Sequence, residues 1–162
     1  MEYNVIKKVI TILKSKDLET RQDFQRIFEE GGALWVTDGY ILIKLCEVGD
    51  DFKNKSMNLN ALKAWAAIHK KGDVLNKDEF IENDTTPPNM GLLIEGDFIP
   101  ADNVKIDIDL LKKACDVFNI KKVGFERSKN DKYLYRIKIL DKYELSILNR
   151  AMEPEIYIMG LK

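Results

Sequence analysis

A chain of 162 residues, 45% hydrophobic and 33% charged, has the length and balance of one globular domain and too little length for two of ordinary size. Its formal net charge of -1 excludes a uniformly polycationic surface, so attraction to a polyanion has to come from a local cluster of basic side chains. Two scattered cysteines, Cys46 and Cys115, and a single histidine, His69, lack the clustered spacing of a zinc site; we expect no metal, no cofactor and no disulfide.

From Tyr3 to Lys14 the residues Val5, Ile6, Val9, Ile10, Ile12 and Leu13 share one side of a helical wheel, and Asn4, Lys7, Lys8, Thr11, Lys14 and Ser15 share the other. This pattern predicts an amphipathic helix with a basic outer face. Its apolar run is far shorter than the roughly 20 residues needed to cross a bilayer, and no small-residue cleavage site follows it. A cytoplasmic location without membrane contact is expected.

Beyond Lys16-Asp17-Leu18-Glu19, short runs at Phe24 to Phe28, Ala33 to Val36 and Tyr40 to Leu45 predict strands, with Gly31-Gly32 and Asp38-Gly39 as hairpin turns. Residues from about Asp50 to Asp84 break that rhythm. Asn58 is placed to cap a helix carrying Leu59, Leu62, Trp65, Ala66 and His69, Gly72 to end it, and Asn76 or Lys77 to begin a second short helix. The stretch is expected to form an inserted helical lobe, with Trp65 and His69 as packing and helix-end residues.

Thr85-Thr86-Pro87-Pro88-Asn89 predicts a loop or extended segment, and Leu92-Leu93-Ile94 a short strand or a strap over the core, before Pro100 punctuates the chain again. Asp107 or Asp109 starts the next helix, with Leu110, Leu111, Ala114, Val117 and Phe118 opposite Asp109, Lys112, Lys113 and Asp116. Strands follow at Lys122 to Phe125, Tyr133 to Ile139, Tyr143 to Leu148 and Glu155 to Met159, with Ser128-Lys129-Asn130-Asp131 and Leu140-Asp141-Lys142 as turns. The second half thus repeats the order of the first, helix and then meander. The expected class is α+β, with two helices packed on antiparallel sheets in a single domain.

Trp35-Val36-Thr37-Asp38-Gly39-Tyr40-Ile41-Leu42 resembles the A-T-D-G-[HY]-R-L signature of bacterial sliding clamps, the beta subunit of DNA polymerase III, and related phage proteins. Val36 stands for the family's Ala and Ile41 for its Arg. Upstream, the basic helix followed by Ser15-Lys16-Asp17 and Arg21 is similar to the clamp's opening; downstream, Pro87-Pro88-Asn89 and Ile99-Pro100 resemble its proline-marked segments. Tyr157-Ile158-Met159-Gly160-Leu161-Lys162 resembles the clamp terminus V-V-M-P-M-R-L, with Gly160 in place of Pro.

That resemblance implies a DNA clamp domain whose two helices line the hole of a ring closed by several domains. A chain with length for one such domain would close a ring only as several copies, a homo-oligomer, or with partner subunits; otherwise it stays an isolated domain. Sliding requires sequence-independent attraction to phosphates, which assigns Lys7, Lys8 and Lys14 of the first helix and Lys112 and Lys113 of the second to double-stranded DNA. Asp109 and Asp116 offset the last two, so contact is expected to be weak per subunit. The family's cleft for peptides of polymerases and other replication proteins maps by position onto Thr37, Gly39, Tyr40, Leu42, Pro100, Tyr157 and Met159, of which Leu42 and Tyr157 equally suit the core.

Glu29-Glu30 and Asp50-Asp51 are adjacent acids that point to opposite faces of a strand, and no phosphate loop, nucleophile elbow or His-Glu metal pair is present. A non-enzymatic role is expected. It is either a self-assembling clamp-like processivity or tethering factor, or a clamp-fold adaptor or inhibitor of replication proteins that closes no ring.

Overall fold

The computed structural model describes residues 1–82, 96–140 and 154–161. Helix α1 (Tyr3–Leu13) buries all six predicted apolar residues, Val5, Ile6, Val9, Ile10, Ile12 and Leu13. At about 2 kcal/mol for each such side chain, this stripe dominates the energetics of docking the helix. No side chain caps its start. Instead the Tyr3 amide donates to the Asp73 carbonyl at 3.0 Å, which satisfies one free amide of the first turn, and the Leu75 amide donates to the Met1 carbonyl at 2.7 Å, which ties down the chain leading into the helix.

Among the described residues nine strands follow: β1 (Arg26–Glu30), β2 (Ala33–Thr37), β3 (Ile41–Glu47), β4 (Lys55–Asn58), β5 (Ile81–Glu82), β6 (Phe98–Pro100), β7 (Val123–Ser128), β8 (Leu134–Ile139) and β9 (Glu155–Met159). They form one antiparallel sheet in the order β5-β4-β1-β2-β3-β9-β8-β7-β6. Helices α2 (Leu59–Ile68) and α3 (Ile108–Asp116) complete the described elements, and the class is α+β.

The two halves mirror each other about the β3–β9 seam, where Ile41 faces Ile158 and Ile43 faces Ile156. On one side α1 leads into β1-β2-β3; on the other α3 leads into β7-β8-β9. The expected repeat of helix and meander is therefore present in the topology. Strand alternation splits the side chains between two faces. Ile27, Val36, Ile41, Ile43, Ile137, Ile156 and Ile158 join a core cluster with residues of α1, α2 and α3, so these described helices share one face of the sheet. Phe28, Trp35, Leu42, Leu134 and Tyr157 form a second buried cluster on the other face. Between β2 and β3 the register slips at Leu34/Trp35, leaving Leu45 without a partner while still buried in the first cluster.

Three expectations need correction. The first strand begins at Arg26 because Gln22–Phe24 is a 3-10 turn, and Gln25 is pinned between helices. Its side-chain amide donates to the Leu13 carbonyl at 3.0 Å, and its own carbonyl accepts from the Leu59 amide at 2.8 Å. The stretch from Asp50 is no separate lobe. β4 pairs with β1, placing Met57 opposite Ile27, β5 pairs with β4, and α2 packs on α1 with Trp65 6.1 Å from the Tyr3 ring. The strand expected at Lys122 to Phe125 runs on to Ser128, because Glu126, Arg127 and Ser128 pair with β6.

Local chemistry elsewhere follows the sequence. Asn58 Oδ1 accepts from the Ala61 amide at 2.8 Å and Asp107 Oδ1 from the Asp109 amide at 2.8 Å, so these residues cap α2 and α3. Gly72 does not end α2 as expected: the helix closes at Ile68 and His69 lies just past it, its ring stacked on Trp65 at 4.2 Å and its Nδ1 donating to the Trp65 carbonyl. Gly31, Gly32 and Gly39 take the positive φ that their turns require. Cys46 and Cys115 are both free thiols. The segments Thr85 to Asn89 and Leu92 to Ile94, the strand expected at Tyr143 to Leu148 and the terminal Lys162 lie outside the described residues.

Candidate nucleic-acid interface

Because α1 turns its apolar stripe to the sheet, Asn4, Lys7, Lys8, Thr11 and Lys14 are left exposed on its outer flank. Helix α3 faces it across two hollows, with its end toward the start of α1. Residues at the start of α1 border a groove of about 770 Å³ together with Asp116, Val117, Phe118 and Asn119 at the end of α3. Further along α1, Lys8 and Thr11 meet Asp109, Lys112, Lys113 and Asp116 around a smaller pit of about 250 Å³. The two helices thus flank one outer face with the groove and the pit between them, and four of the five predicted phosphate-facing lysines, Lys7, Lys8, Lys14 and Lys112, are exposed.

Lys113 differs. Its side chain is 25% exposed, and its ammonium donates to Asp38 Oδ2 at 3.3 Å. Asp38 is 1% exposed, and its Oδ1 accepts from the amides of Tyr40 and Ile41, each at 2.9 Å. Thr37 Oγ1 donates to the Ile41 carbonyl at 2.7 Å and accepts from the Gly39 amide at 3.1 Å. The turn between β2 and β3 is therefore held by two side chains that bond back to its own main chain. Asp38-Gly39 is legible in the sequence as a turn. That its carboxylate is buried, and that it takes its countercharge from α3, is not.

No family model matches the chain, and neither a curated protein nor a solved structure is found to match it.

The residues mapped to a peptide cleft are brought together only in part. Thr37, Gly39 and Tyr40 belong to the turn, Leu42 pairs with Tyr157, and the Met159 amide donates to the Tyr40 carbonyl at 2.8 Å. Leu42 and Tyr157, both 5% exposed, are spent on the second core cluster, where Met159 packs against them. Tyr40, 47% exposed, is the large side chain the turn offers to solvent. Pro100 stands apart: β8 and β7 intervene between β9 and its strand β6, which at the usual strand spacing puts it roughly 14 Å from Tyr157. Phe98, two residues earlier, does reach the Tyr157 ring at 5.8 Å. Among the described residues no helix is long and apolar enough to cross a membrane, and no three His, Cys, Asp or Glu side chains stand close enough to hold a metal ion.

Proposed function

We propose that this chain is a non-enzymatic, clamp-fold subunit that tethers double-stranded DNA without sequence preference, acting in an assembly of several copies. One observation carries the reading: α1 and α3 lie side by side on one face of a continuous, internally repeated sheet, with Lys7, Lys8 and Lys14 exposed and no acid between Lys7 and Lys14 on α1. Phosphate attraction of this kind is screened and diffuse, adding about 0.9 to the salt dependence of log affinity for each phosphate neutralised. A sliding subunit needs that property, since hydrogen bonds to base edges would pin it to one site. Asp109, Asp116 and the engagement of Lys113 by Asp38 reduce the charge on the α3 side, so affinity is low per copy and rises with copy number.

The test is retention on closed circular DNA against the same DNA linearised. The parent protein is retained on the circle and lost from free ends, and the combined variant Lys7→Glu, Lys8→Glu, Lys14→Glu is retained on neither. Undiminished retention of that variant refutes the reading.

A second reading keeps the fold and drops the ring: an adaptor or inhibitor that binds peptides of replication proteins. The exposed Tyr40 beside Met159 favours it, while the burial of Leu42 and Tyr157 leaves little apolar surface for a peptide. Under that reading the charge-reversed variant keeps its partner binding.

A further inference from the structure

The pit between α1 and α3 and the turn between β2 and β3 share one side chain. Lys113 lines the pit with Lys8, Thr11, Asp109, Lys112 and Asp116, and the same ammonium is the countercharge of the buried Asp38 carboxylate. Lys8 and Lys112 form no ion pair within 4.0 Å among the described residues, so the pit holds two ammonium groups outside any such pair, a third engaged with Asp38, and the carboxylates of Asp109 and Asp116 that offset part of this charge. The groups facing Lys113 from the packed elements are thus Asp38 from the turn, Lys8 from α1, and Asp109, Lys112 and Asp116 from its own helix.

A carboxylate that is 1% exposed depends on its partners far more than one in water, because no solvent replaces a lost countercharge. An oxyanion drawn in by Lys8 and Lys112 competes for the Lys113 ammonium, which is 25% exposed and able to swing toward it. Once Lys113 leaves, Asp38 retains, among the described residues, the two amides of Tyr40 and Ile41, and the turn loses this ion pair to α3.

We propose that Lys113 is a charge switch, through which a phosphate oxyanion seated between α1 and α3 loosens the Thr37–Ile41 turn and frees the exposed Tyr40. The switch takes the α1–α3 surface from the DNA-tethering reading, but its chemistry is that of any phosphate oxyanion, whether a duplex backbone or a free polyphosphate supplies it.

Amide hydrogen exchange of Tyr40 and Ile41 in the full chain reads the switch directly, because both amides donate to Asp38. Saturating short duplex DNA, or inorganic pyrophosphate in a separate arm, is expected to speed exchange at these two amides at least about tenfold while the amides of Ile43 and Ile156, deeper in the β3–β9 pair, stay unchanged. The variant Lys8→Ala, Lys112→Ala leaves the Asp38 pair intact, so it shows the parent's slow exchange and no response to either anion. Lys113→Met exchanges fast at both amides from the start and does not respond, whereas Lys113→Arg restores the response. DNA binding is followed in parallel by fluorescence anisotropy. Duplex bound with no change at Tyr40 and Ile41, or pyrophosphate without effect at saturation, overturns the switch. A response to pyrophosphate with no duplex binding supports the switch and overturns the tethering reading instead.

Discussion

Tyr157 is 5% exposed, and its hydroxyl faces Glu155 Oε2 at 3.4 Å. Burial first, and the charge of Glu155 second, push its pKa from 10.0 up to about 12. The folded state therefore favours the neutral phenol, so this contribution to stability is complete below pH 10 and disappears as pH rises toward 12. Denaturant midpoints measured across that window should fall for the parent protein and fall less steeply for Tyr157→Phe. Equal slopes would show that the hydroxyl is not held out of water. Single residues also mark the limit of what could be read in advance. The strand alternation of Glu155 to Met159 is plain in the sequence, and it placed Tyr157 and Leu42 at positions suited equally to core or cleft; only the packing of Phe28 and Trp35 against them decides for the core. Asp38 was legible as a turn former because an aspartate before glycine bonds its own main chain, a local matter. Its pairing with Lys113 joins residues 75 apart and leaves no local signature.

At the scale of elements, the helices show two ways of satisfying an N-terminus. α2 has a side-chain cap: Asn58 Oδ1 accepts from Ala61. Asn58→Ala should cost about 1 kcal/mol in urea denaturation, and Asn58→Asp should restore most of it. α1 has no such cap, and its Tyr3 amide bonds to the Asp73 carbonyl, main chain that no pattern at Glu2 or Tyr3 announces. Helix α1 was nonetheless readable, because six apolar residues at helical spacing leave no other face to bury. β4 was not readable: four residues with Lys55 and Asn58 at its ends show one inward side chain pair at most, too short a run for alternation to stand out. Its place in the sheet comes from Met57 meeting Ile27 across the ladder, a long-range contact that turned an expected insertion into part of the main layer.

For the whole molecule, the sheet ends in two short strands, β5 with Ile81 exposed and β6 with Ile99 exposed. Edges of two and three residues, with β6 ending on Pro100, blunt strand addition, so contact between copies would rest on exposed apolar side chains such as Ile99. In the tethering reading, light scattering should give a multiple of 18.7 kDa, and Ile99→Lys should shift the population to the single chain; a monomer at every concentration would favour the adaptor. By itself the sequence determined the α+β class, the basic flank of α1, most hairpin turns and the repeated order of helix and meander, because each of these is written in neighbouring residues through side-chain period, glycine conformation and capping. Tertiary structure alone decided that β4 and β5 extend the main sheet, that Pro100 sits three strands from Tyr157, and that Lys113 serves a buried carboxylate as well as the outer surface. Those outcomes depend on which distant segments meet across the sheet, and the energy of such meetings belongs to pairs of residues that no local pattern links.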